Sequence, residues 1–147
     1  KEGVVTKLFR RRSASKMVLI EDVIKLSYRF KDEPGKTELV DKIANELGIS
    51  NGRVEAAIRT LIGKNLMSRT NGSYILTDDG VKYALRLVRT HRLWETYVTR
   101  ENVLDLEHIH PEAEKVEHVL TEDMVDELDE ELGFPEKDPH GSEIPRK

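Results

Sequence analysis

Apolar positions recur at helical spacing through most of this chain, and one short stretch alternates instead. Over about 17–31, Leu19, Ile20, Val23, Ile24, Leu26, Tyr28 and Phe30 form an apolar stripe that predicts a helix, ended by Pro34-Gly35. Val40, Ile43, Ala44 and Leu47 predict a second helix, with Thr37 as its N-cap and Gly48 as its close. Ile49-Ser50-Asn51-Gly52 reads as a tight turn. Val54, Ala57, Ile58, Leu61 and Ile62 then carry a third helix to about Lys64. Leu66–Arg69 and Ser73–Leu76 read as short strands around Asn71-Gly72, a dipeptide suited to a two-residue hairpin loop. Thr77-Asp78-Asp79-Gly80 leads into a long helix, about 78–98. Leu104, Leu106 and Ile109 form a short apolar element, and Pro111 opens a helix to about Leu120. Thr121-Glu122-Asp123 caps another helix bearing Met124, Val125, Leu128 and Leu132, which ends at Gly133. Phe134 to Lys147, with three prolines and one glycine, is expected to be an extended tail.

The order helix, helix, turn, helix, hairpin, helix is that of a winged helix-turn-helix. The expected class is mainly α, with this module over 17–83, a helical region over 84–133 and the tail over 134–147. The third helix stands where a groove-reading helix would lie, and the hairpin is the wing. Asn51, Arg53, Arg59, Lys64 and Arg69 are the candidate DNA contacts, although Glu55 puts a carboxylate on the same segment. Winged helices also serve as protein-interaction modules, so the fold does not dictate DNA binding.

Charge divides the chain. Residues 1–16 hold six bases and one acid, whereas 101–147 hold sixteen acids and four bases. Such a head suits nucleic acid or an anionic membrane surface, and such a tail suits metal cations in part. Segment 1–16, with Lys7, Arg10, Arg11 and Arg12, reads as a basic arm or juxtamembrane-like segment. Ser13-Ala14-Ser15 reads as a joint after it. The chain has no cysteine, which removes disulfides and thiolate metal sites. No apolar run approaches the roughly 20 residues that span a bilayer.

Glu114, Glu117 and His118 stand at i, i+3 and i+4, which places them on one face of a helix. Two carboxylates and an imidazole crowded there call for a positive charge between them, and a divalent cation supplies it. His91 and Glu95 form a second i, i+4 pair, and His110 lies four residues before Glu114. Oxygen and imidazole donors without thiolate favour Mn(II), with Fe(II) and Zn(II) as alternatives. The plainer alternatives are a His91 packed between helices and a Glu95 paired with Arg92 or Arg100. His108 and His140 read as solvent or tail contacts. No nucleophile or general-base motif is evident, so no enzyme is expected.

The segments Arg89-Thr90-His91-Arg92-Leu93-Trp94-Glu95, His110 to Thr121, and Asp138-Pro139-His140-Gly141 with Ile144-Pro145 resemble the DtxR/MntR family of metal-responsive winged-helix repressors. The resemblance runs from about Ile20 to Pro145 and implies a homodimer joined through the 84–133 region. It implies metal ligands at Asp22, His91, Glu114, Glu117 and His118, and an ancillary site at His91, Glu95 and His110. Lys25 stands where the manganese-sensing branch has a second carboxylate, which argues against a two-metal cluster there. The order of the head, Gly3 to Arg12, is similar to the cytosolic stretch after the last span of manganese/zinc/iron ABC-transporter permeases. That similarity implies a metal-sensing cytosolic extension of an inner-membrane permease, with a free operator-binding repressor as the alternative.

Overall fold

In this computed structural model the backbone is described for residues 4–32, 36–101, 113 and 116–147, and the side chains for those from residue 16 onward, Lys36 excepted. The chain divides into two compact units, residues 1–84 and 85–147, and the boundary falls within a helix.

The first unit is built on α1 (Val4–Arg29), α2 (Lys36–Leu47) and α3 (Asn51–Gly63), followed by the hairpin β1 (Met67–Thr70) and β2 (Ser73–Leu76). Helix α1 corrects the expected joint, because it runs without a break through Ser13-Ala14-Ser15. Ser, Ala and Ser lack any residue that forces a chain out of helical geometry, and a run free of Gly and Pro continues once nucleated. Thr37 lies inside the first turn of α2 rather than at its cap. Ser50, read as part of a turn, is the N-cap of α3, and its hydroxyl accepts from the Arg53 N–H at 3.3 Å.

Val23 and Ile24 of α1, Val40 and Ile43 of α2, and Val54, Ile58 and Leu61 of α3 are buried together with Met67 of β1. The helical spacing of these residues turns one face of each helix inward, which is the source of the three-helix core. The strands pair antiparallel with Met67 opposite Leu76 and Thr70 opposite Ser73, so Asn71-Gly72 is the hairpin loop. Both loop residues have positive φ, 49° and 74°, as a type I′ turn requires. Strand β1 begins one residue later than expected, because Asn65 at φ 59° turns the chain and the Leu66 N–H donates back to the Leu61 carbonyl.

Helix α4 (Asp78–Arg100) starts beside this turn. The Thr77 hydroxyl donates to the Asn65 carbonyl at 2.7 Å and accepts from the Gly80 N–H at 3.0 Å, which caps the helix. Gly80 is required by close approach, since a Cβ there would sit 1.9 Å from the Leu66 carbonyl oxygen.

The second unit holds the rest of α4 and α5 (Glu122–Glu131), capped by the Thr121 hydroxyl. Most of the helix expected over 111–120, including His110 before it and Glu114 within it, lies outside the described residues. Its end is seen, with Glu117 N–H donating to the Ala113 carbonyl and Leu120 N–H to that of Val116. Leu93, Val125, Leu128, Leu132 and Ile144 form the core of this unit, with Trp94, Tyr97 and Leu120 packed against it. The segment 134–147 is therefore not a free extended tail. It folds back, burying Pro135, Asp138 and Ile144, and closes a small loop through a bridge between Lys137 and Glu143. Ile144, set among prolines, is the apolar residue that draws it in.

Replacing a helical glycine by alanine ordinarily gains up to about 1 kcal/mol. The contact with Leu66 reverses the sign for Gly80→Ala, which is expected to destabilise the first unit by about 1–3 kcal/mol. A lowered denaturant midpoint at unchanged slope is the outcome that checks it.

Candidate metal centre

The candidate centre is built in the second unit on α4, where the i, i+4 spacing of His91 and Glu95 places both on one buried face. His91 Nε2 lies 2.8 Å from Glu95 Oε1, and His91 Nδ1 lies 2.7 Å from Glu117 Oε2. Glu117 also faces His118, with Nε2 3.4 Å from Oε1. On the other side, Glu95 Oε2 lies 3.3 Å from His140 Nδ1. Imidazoles and carboxylates therefore alternate in the order His118, Glu117, His91, Glu95, His140. Glu95 and Glu117 are 2% and 3% exposed.

Two carboxylates that deep in protein are costly unless a cation is shared between them. Burial by itself pulls the His91 pKa down. The hydrogen bonds to Glu117 and Glu95, with the charges behind them, outweigh it and hold the pKa at about 9, above its ordinary 6.5. Near neutral pH His91 is thus an imidazolium that donates to both acids. Carboxylate oxygens and imidazole nitrogens without thiolate suit Mn(II), Fe(II) or Zn(II), so the donor set fits a divalent cation.

A second grouping adjoins the first. Glu95, Asp138 and His140 each offer a ligand atom, all within 4.8 Å of one another. His140, read as a solvent or tail contact, is exposed on the C-terminal segment and also faces Glu95. Asp138 belongs to a segment that carries the family resemblance but is not among the candidate ligands read from the sequence. The signal was present in Asp138-Pro139-His140, where a carboxylate and an imidazole flank a turn residue.

The remaining expected site residues are placed as follows. Asp22 sits half-buried on α1, in the first unit. His110 and Glu114 lie outside the described residues. Arg92 donates to the Glu143 carbonyl, and Arg100 Nη1 donates to the Leu132 carbonyl at 2.6 Å. Of the candidate DNA contacts, Arg53, Arg59, Lys64 and Arg69 are exposed. Asn51 donates from Nδ2 to Asp41 at 2.6 Å, and Arg69 donates to the Tyr74 hydroxyl at 3.2 Å. Lys7, Arg10, Arg11 and Arg12 fall on the described backbone of α1.

Residues 77–146 match the sequence model of a family described as iron dependent repressor, metal binding and dimerisation domain. The iron-dependent repressor IdeR of Mycobacterium tuberculosis is 31% identical over 115 residues, which are 78% of this chain and 50% of that protein. A probable metal transport system membrane protein of Chlamydia trachomatis serovar D is 40% identical over 87 residues, 59% of this chain and 19% of that protein. Among solved structures, the manganese regulator SloR is similar at a TM-score of 0.75 and 31% identity, covering 86% of this chain and 59% of that one. ScaR with bound Zn2+ is similar at a TM-score of 0.77 and 32% identity, covering 87% and 60%. The chain thus spans half the length of the mycobacterial regulator and about a fifth of the chlamydial membrane protein. It is a winged-helix regulator domain of the DtxR/MntR type.

The raised His91 pKa makes stability depend on pH. Its contribution is fully present below the unfolded value near 6.5 and is lost as pH rises through about 9. In chelator, the second unit is expected to lose on the order of 1–3 kcal/mol across that window. Melting followed by Trp94 fluorescence at pH 6.5 and pH 9.5 measures it, and His91→Gln is expected to flatten the difference.

Proposed function

We propose that this domain senses divalent metal in the cytosol and, as a part of a metal-uptake ABC permease, sets how active that transporter is. The observation that carries this reading is His91, held within hydrogen-bond distance of both buried carboxylates, Glu117 and Glu95. Such a site exchanges a proton for a metal cation, because an imidazole must be neutral to ligate. Mn(II) is favoured by the donor set, with Fe(II) and Zn(II) as alternatives. The bound cation supplies two positive charges where His91 supplies one. His91, Glu95, Glu117 and His118 are the proposed ligands, together with His110 and Glu114 from the sequence spacing and Asp22 from the family resemblance.

Several features support the permease setting. The similarity to a chlamydial protein named for metal transport and for the membrane is one. The basic positions Lys7, Arg10, Arg11 and Arg12 on α1, whose later turns enter the core of the first unit, are another. Arginines and lysines near a membrane surface bind anionic headgroups. No helix among the described residues is long and apolar enough to cross a membrane, so the anchor would come from elsewhere in the protein. A homodimer is proposed from the dimerisation domain whose sequence model the chain matches. Metal regulates transport only if it binds one arrangement of the domain better than another.

A free-standing repressor is the second reading, favoured by the similarity to IdeR and by the exposed Arg53, Arg59 and Lys64 beside the wing. Against it, Asn51 is engaged by Asp41, and Glu55 is exposed on the same helix.

Calorimetry with Mn(II) is expected to show binding to the wild-type chain. Glu117→Gln with His118→Ala is expected to weaken it by more than about tenfold, the lower range for losing a mere supporting group, and Asp22→Ala tests the resemblance-derived ligand. Absence of Mn(II), Fe(II) and Zn(II) uptake would end the sensor reading. Metal-dependent, salt-sensitive gel shifts with promoter DNA would favour the repressor over the permease domain.

A further inference from the structure

We infer that Asn71, at the tip of the wing, is a site of spontaneous covalent modification. Its carboxamide is attacked by the backbone nitrogen of Gly72, and an acidic residue is left in its place. The inference rests on the hairpin alone, so it holds whether the domain regulates a transporter or reads DNA.

The dipeptide Asn-Gly occurs twice in the chain, at 51–52 and at 71–72. In the sequence the two look alike, because a glycine nitrogen has no neighbouring side chain to hinder attack. The fold separates them. Asn51 opens α3, and its Nδ2 donates to Asp41 at 2.6 Å. Bringing the Gly52 nitrogen onto that carboxamide means unwinding the first turn, which the Ser50 hydroxyl caps. Asn71 and Gly72 instead lie between the paired strands as loop residues, and both are exposed. The Gly72 N–H enters no backbone hydrogen bond among the described residues, so the attacking nitrogen is not engaged. A Cβ built on Gly72 would meet nothing within 4 Å, so the peptide has room to turn. The compact turn, with φ of 49° and 74°, must open for the two groups to meet. Only the Thr70–Ser73 pair has to yield, and the end of a two-stranded ribbon opens at little cost.

The Gly72 nitrogen forms a bond to Asn71 Cγ and gives up its proton. The side-chain nitrogen takes that proton and leaves as ammonia, and a five-membered imide remains. Water opens the imide at one carbonyl to give aspartate. At the other carbonyl it gives isoaspartate, whose backbone passes through the former side chain and is one carbon longer. Either product adds a negative charge. Arg69 is the sole charged residue of the hairpin 67–76, so its charge on the wing is cancelled. The extra carbon of isoaspartate also breaks the two-residue loop that sets Thr70 opposite Ser73 and Met67 opposite Leu76.

The test is peptide mapping by mass spectrometry of the full chain, aged in mildly alkaline buffer with and without urea. In the folded chain the wing peptide is expected to gain about one dalton and to split into aspartate and isoaspartate forms. That conversion is expected to run more than about tenfold faster than conversion at Asn51, since a loop tip opens more readily than a capped helix turn. In urea the two rates are expected to converge. Equal rates in the folded chain, or a wing peptide that keeps its mass, would overturn the inference. Asn71→Asp carries the charge without the extra carbon, so hydrogen exchange of 67–76 is expected to stay slow in that variant and to quicken several-fold in the isoaspartate form. Unchanged exchange in the isoaspartate form would overturn the loss of register.

Discussion

An imidazole clasped between two buried carboxylates is the constraint around which the second unit is organised. Glu95 and Glu117 come from separate stretches of chain, and their charges would push those stretches apart in a dry interior. His91 joins them by carrying a proton that the surroundings hold well above its ordinary affinity. On the proposed metal-sensing reading, that proton is what a divalent cation would replace, because such an ion would meet both acids with more charge.

A second ionic layer lies nearby and has another role. Arg89, on the same helix as His91, bridges Asp126 and Asp129 with little exposure of its own side chain. Arginine stays charged at any physiological pH and its planar fork suits two acids at once, so this layer is fixed where the histidine layer is adjustable. Fixed pairs hold α5 to α4, and the adjustable chain of imidazoles and acids runs beside them. This division of labour lets a site change its charge state without dissolving the core that frames it.

The first unit is conventional in its packing and unusual in its surface. Its helices bury Val, Ile and Leu at regular spacing, and the hairpin follows from two residues able to adopt positive φ. On the outside, the helix where a DNA reader would place small polar groups carries Glu55, and Asn51 is tied to Asp41.

By itself the sequence determined the elements and the donor chemistry. Periodicity of 3.6 marks α2 to α5, Asn71-Gly72 marks the wing, and the absence of cysteine with the His/Glu spacings marks oxygen and nitrogen ligation. These are local properties, carried by residues within a few positions of one another. Tertiary structure alone decided which of these side chains meet. That Glu117 finds His91, 26 positions away, and that His140 crosses 45 positions to Glu95, depends on how helices pack and on one buried isoleucine near the chain's end. The uninterrupted α1 escaped the sequence reading for a related reason, since a Ser-Ala-Ser run permits both a joint and a helix, and only its context selects between them.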